Sequence, residues 1–152
     1  MLIFCSCTDQ SELNETDTKD ENVFEYHLKT VVNNEGDTMI VIESGNPQHI
    51  ELDAYAPNSC HLQFSPDSAK NGQYLLHLDN QLIDELNFNN GDWTSKRYDY
   101  ESRVLFLIAD YQAEKELHST QVFDRITGTI ITETITDSSA EKTWFYDYYP
   151  NG

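Results

Sequence analysis

His49, Glu51 and Asp53 stand two apart along the chain. On an extended backbone, side chains at i, i+2 and i+4 share a face, so this set could present one nitrogen and two oxygens to a single cation. A solvated strand face would carry the same residue types, and zinc sites usually draw further ligands from a second strand. Asn87, Asn89, Asn90 and Asp92 around Gly91 invite a calcium reading through their oxygens. However, Leu86 and Phe88 occupy the first and third ligand places of an EF-hand loop, and Asn-Gly fits a hairpin turn better. There is no glycine-rich phosphate cradle, no Gly-x-Ser-x-Gly elbow and no His-Glu-x-x-His pair. Cys60 alternates with Leu62 and Phe64 as a small buried hydrophobe would, with no neighbour that would activate its thiol. Carboxylates are so plentiful that Asp79 or Asp84-Glu85 cannot be singled out as an acid/base pair. The residues point to a protein that is not an enzyme and holds no resident cofactor, with calcium the one ion to consider.

The stronger candidate for function is aromatic. Trp144, Tyr146 and Tyr148 fall on one face of a final strand, Phe145 and Tyr149 on the other. At least one face is therefore core, where aromatics normally go, or an exposed stacking platform. If Tyr146 and Tyr148 lie exposed beside Tyr98 and Tyr100, the group suits sugar rings, a peptide or a protein partner.

These residues need strands to hold them. Phe24, Tyr26, Leu28, Thr30 and Val32 alternate with Glu25, His27, Lys29 and Val31, and after Asn33-Asn34-Glu35-Gly36-Asp37 the run Met39–Ile42 completes a hairpin. Similar alternation predicts strands over 50–56, 60–64 and 74–78, then a hairpin of 82–88 and 93–100 turning at Asn90-Gly91. Val104–Ile108 and Thr129–Thr136, rich in β-branched and aromatic residues, predict central strands. Gln112–Glu116 suits one helical turn and no more. About ten short strands with turns between them imply an all-β domain, a single antiparallel β-sandwich or barrel, over residues 23–152.

The charge balance is 27 acidic against 9 basic residues, a net −18. Such a field repels nucleic acid and anionic lipid, leaving neutral or basic partners, protein or carbohydrate, and divalent cations. Thr8–Asn22 holds six acids, one lysine and no aromatic, a composition that cannot bury enough to order itself. Ahead of it, Met1-Leu2-Ile3-Phe4-Cys5-Ser6-Cys7 resembles the tail of a bacterial lipoprotein signal, with Ser6 before Cys7 as the cleavage junction. That resemblance implies a lipid on Cys7, a signal remnant and acidic tether over 1–22, and a place in the cell envelope or outside the cell. Contact with the membrane would then run only through the anchor.

Two further resemblances are partial. Leu62-Gln63-Phe64-Ser65-Pro66-Asp67 followed by Gly72-Gln73-Tyr74-Leu75-Leu76 resembles the strand, turn and strand of a β-propeller blade, and Val122-Phe123-Asp124-Arg125-Ile126-Thr127-Gly128 resembles the hairpin joining a blade's outer strands. They imply incomplete propeller-like blades, since even four blades of about 40 residues need more chain than this. Trp144–Gly152 is similar to the Trp-x-Tyr-Tyr-Pro-Asn-Gly phrase of MORN-type bacterial hairpin repeats, present here once.

The function expected from these readings is an acidic binding module tethered to the cell envelope. The alternatives are a small-ligand carrier with a β-barrel lumen and a fragment of a propeller-like protein.

Overall fold

The computed structural model describes residues 22–65 and 68–149. The expected lipidation site Cys7 and the signal remnant and tether up to residue 21 lie outside the described residues, as do Pro66 and Asp67. Eleven strands form: β1 (Val23–Val32), β2 (Thr38–Ser44), β3 (Ile50–Glu51), β4 (His61–Leu62), β5 (Gly72–Leu78), β6 (Gln81–Asn89), β7 (Asp92–Tyr98), β8 (Leu105–Gln112), β9 (Leu117–Phe123), β10 (Ile130–Asp137) and β11 (Lys142–Asp147). The all-β class is as the alternation required. Nine of the strands lie in one continuous open sheet in the order β11-β10-β9-β8-β7-β6-β5-β1-β2, while β3 and β4 make a separate two-stranded piece. The chain is therefore not a closed barrel, and the sheet has no lumen for the carrier alternative. Neither is it divided into blades. Leu62 of β4 and Tyr74 of β5 belong to different sheets, whereas Val122–Gly128 does form the end of the β9–β10 hairpin.

One pairing departs from the antiparallel expectation. β1 runs parallel to β5, with Tyr26 opposite Leu76 and Leu28 opposite Leu78. After the β1–β2 hairpin the chain crosses the front of the sheet before returning on the far side of β1. A connection of this kind is what parallel neighbours demand, since a two-residue turn joins only antiparallel strands.

That crossing segment makes the core. Ile50, Cys60 and Leu62 press onto Tyr26, Leu28, Ile40, Tyr74, Leu76, Leu78, Leu86 and Phe88. Leu76 and Leu78 are completely enclosed, and each such side chain contributes roughly 1.5–3 kcal/mol relative to exposure. Cys60 is a buried thiol, which burial pushes up, as expected of a structural cysteine. The alternation over 50–56 and 60–64 predicted two longer strands; only Ile50–Glu51 and His61–Leu62 are extended and paired. Turns at Pro47–His49 and Pro57–Ser59 interrupt the rest, so the alternation here marks side chains dipping onto the sheet rather than a ladder.

Beyond β7 none of the described residues covers the sheet. From Leu105 to Asp147, Phe106 is the one buried apolar side chain among the described residues. The runs expected to be central strands thus sit elsewhere than in the core: β8 is central in the sheet yet half-exposed, and β10 lies next to the edge with both faces open. Physically, β-branched residues favour the pleated backbone whether or not a second layer arrives to bury them.

Candidate functional site

The back face, opposite the crossing segment, is where the bare strands gather apolar side chains. Cross-strand register aligns Ile108, Gln121, Glu133 and Tyr146 in one row and Asp110, Ser119, Ile135 and Trp144 in the next. The Tyr148 amide bonds the Ile131 carbonyl at 2.8 Å, which extends the patch by one more row. Trp144, Tyr146, Tyr148 and Ile131 are each 40–45% exposed. Glu133 sits at the centre, accepting hydrogen bonds from Tyr148 Oη (3.0 Å) and Gln121 Nε2 (2.8 Å). That acceptor raises the Tyr148 phenol above its ordinary value. The sharing of one face by Trp144, Tyr146 and Tyr148 follows the sequence reading. Their burial does not: where no described residue covers the sheet, the aromatic strand is open on both sides, with Phe145 74% exposed on the front.

Tyr98 and Tyr100 do not join it. Tyr98 lies on the back face of β7, four strand steps or about 19 Å from β11. Burial and the nearby Glu85 carboxylate raise its phenol. Tyr100 packs against the core and donates its hydroxyl to Asp79 at 2.9 Å. Sequence distance says nothing of how many strands intervene, and here three do.

His49, Glu51 and Asp53 are also dispersed. His49 ends a 3-10 turn and the paired strand holds only Ile50–Glu51, so the three side chains do not stand together on one regular strand. His49 Nδ1 meets Tyr26 Oη at 2.9 Å, Glu51 faces His61 at 3.7 Å, and Asp53 caps its own turn by accepting the Tyr55 amide at 3.0 Å. Among the described residues no group of three His, Cys, Asp or Glu side chains could hold a metal ion. The Asn87–Asp92 stretch is the hairpin expected, with Asn90 (φ 51°) and Gly91 (φ 96°) both left-handed as a type I′ turn needs. Asn90 exchanges two 2.8 Å hydrogen bonds with Asn71.

Two concavities stand out among the described residues. An open hollow of ≈ 820 Å³ lies at the hairpin end, where Asn87, Asn89, Thr94, Asp110 and Gln112 line its floor on the back face. A smaller cleft of ≈ 290 Å³ opens on the front where the crossing segment stops, lined by Phe64, Phe88, Trp93 and Ala109. Beneath it Asp84 is fully enclosed, accepting the Leu62 amide at 2.8 Å and Ser95 Oγ at 3.1 Å, with Arg97 Nε 3.9 Å away. Burial pushes the Asp84 carboxyl up against the pull of these partners. Asp84 was not distinguishable in sequence among so many acids. The one available signal was its place between Ile83 and Leu86 in an apolar strand.

No family model, curated protein or solved structure matches the chain.

Proposed function

We propose that this protein is a binding module that docks a partner on the bare back face of β8–β11, and that the Cys7 anchor and acidic tether hold it at the cell envelope. The observation that carries the reading is the exposed group of Ile131, Trp144, Tyr146 and Tyr148, flanked by half-buried Phe123 and Ile135, on the part of the sheet that no described residue covers. Exposed aromatic surface of this kind, here grouped around the polar Glu133, marks an interaction site, and its aromatic composition is that of interface centres. The net −18 favours a neutral or basic partner. A photo-crosslinking residue at Tyr146 is expected to give a discrete adduct in cells, while the same residue at the exposed Tyr55 on the covering segment gives none. Equal adducts at both positions, or none at Tyr146, would sink the reading. The tether is tested separately: labelling with a fatty-acid analogue should disappear in Cys7→Ser.

A second reading draws on the polar hollow, whose Asn87, Asn89, Thr94, Asp110 and Gln112 suit a neutral polyhydroxylated ligand such as an oligosaccharide. Binding of soluble glycans that survives loss of Trp144 but not of Asp110 would favour it over protein docking.

A further inference from the structure

The two edges of the nine-stranded sheet are unlike. On β2 the outer side is engaged, the Ile40 amide donating to the Ala54 carbonyl of the crossing segment at 2.9 Å. On β11 every residue from Lys142 to Asp147 is exposed, and among the described residues no strand pairs with its outer side. The polarity of that side is fixed by the ladder within. The Tyr148 amide reaches the Ile131 carbonyl, and the register continues through Tyr146 opposite Glu133 and Trp144 opposite Ile135. In an antiparallel ladder the residues of these pairs exchange both bonds, so the alternate residues Thr143, Phe145 and Asp147 turn their N–H and C=O groups outward. Thr136 Oγ1 and Thr143 Oγ1, 3.3 Å apart, mark the intervening close pair. An exposed aromatic edge of this sort is a template for another strand, and folded proteins ordinarily blunt such edges with a bulge, a proline or a covering segment. Among the described residues β11 has none of these, and Lys142 is its single basic residue.

We propose that the outer edge of β11 is a strand-addition site for an extended, basic segment of a partner polypeptide. The proposal rests on the docking reading above and specifies its partner. An added strand would take its backbone hydrogen bonds from Thr143, Phe145 and Asp147, while its alternate side chains would lie on the back face beside Trp144 and Tyr146. Charge selects the side chains: Glu133 and Asp137 share the back face with Trp144 and Tyr146, Glu141 stands in the turn before the strand and Asp147 on its front, so lysine or arginine beside the edge gains nearby carboxylates and the aromatic faces. A second copy of the chain is the disfavoured occupant, because it would bring another −18 to the same place.

The test uses the full chain and a fluorescein-labelled synthetic nonapeptide with lysine or arginine alternating with valine or threonine, read by fluorescence anisotropy. Phe145→Pro removes an outward N–H and none of the bonds β11 makes to β10, so it should leave the circular dichroism and Tm intact yet weaken binding by about tenfold or more, as loss of a backbone hydrogen bond at an edge would. Tyr146→Pro, which cuts the inner ladder, is the control for unfolding. A peptide with glutamate in place of each basic residue should not bind. Equal affinity of wild type and Phe145→Pro would overturn the edge site, and if Tyr146→Ser nonetheless abolished binding, face docking would stand without it. Failure of the basic peptide to bind at all would also overturn the edge site, whereas the docking reading falls only with the Tyr146 adduct. A dimer in sedimentation equilibrium that Phe145→Pro dissolves would give the edge to a second copy and overturn the basic partner.

Discussion

The Leu62 amide donates to the Asp84 carboxylate across 2.8 Å in a place wholly closed to water. This bond pins the covering segment to β6, one strand short of where its cover ends. Asp84→Ala leaves the Leu62 N–H buried without an acceptor and should cost about 2–4 kcal/mol, read from chemical denaturation. Asp84→Asn keeps an oxygen for Leu62 and an amide for Ser95 Oγ, and should cost much less. The pH dependence follows from the raised carboxyl. The folded state holds that proton more tightly than the unfolded state, so the wild type gains from Asp84 in acid and loses that gain as pH rises through the folded value. Asp84→Asn should therefore improve relative to wild type between pH 4 and pH 8, and an Ala variant as stable as Asn would contradict the pin.

On the back face of the covered half, His27 and His77 stack with ring centroids 5.0 Å apart. Burial holds His77 below its ordinary value and His27 lowers it further, against an opposing pull from Glu25, and His77 Nδ1 has no hydrogen-bond partner among the described residues. The folded state thus binds this proton less readily than the unfolded one. Stability contributed by neutral His77 is full above the unfolded value near 6.5 and declines as pH falls through it. Relief of repulsion among 27 acids acts the other way. The separable outcome is a difference: between pH 7.5 and 5, His77→Gln should lose less Tm, or gain more, than wild type. Parallel curves would remove His77 from the account.

Divalent cations should stabilise the chain without a dedicated site. The carboxylates with named work are already committed: Asp79 accepts Thr30 and Tyr100, and Asp99 accepts Ser102 and Asn58 with Arg125 Nη1 at 3.3 Å. In both cases burial works against the charge, but these donors win and hold the carboxyl below its usual range. The remaining acids are dispersed, and their repulsion is open to screening. Millimolar calcium should raise Tm, and sodium chloride at matched ionic strength should reproduce most of the rise. Saturation at low calcium that survives added salt would require a converged set of ligands.

Which parts of this fold the sequence disclosed depends on what alternation encodes. A period of two in Phe24–Val32 and Tyr74–Leu78 states which face each side chain takes, and Asn90-Gly91 states where the chain doubles back; all three appear as expected. Alternation does not state which strands are neighbours. The parallel contact of β1 with β5 and the three strands between Tyr98 and the β11 aromatics were therefore invisible. Nor does it say whether a second layer arrives. Thr129–Thr136 reads like core, but among the described residues the covering layer is the short crossing segment, which ends at β7. The candidate site emerges from that shortage: the aromatic face was legible as a face, and its exposure was not.

Hydrogen exchange along β11, resolved residue by residue by NMR, tests the central claim most directly. In the free protein the inward amides of Trp144, Tyr146 and Tyr148 should be protected, while the outward amides of Thr143, Phe145 and Asp147 exchange at nearly open-chain rates. Adding the basic nonapeptide should slow the outward set and leave the inward set unchanged. Outward amides already protected in the free chain, or an inward set as fast as the outward one, would contradict an open, structured edge awaiting a partner strand.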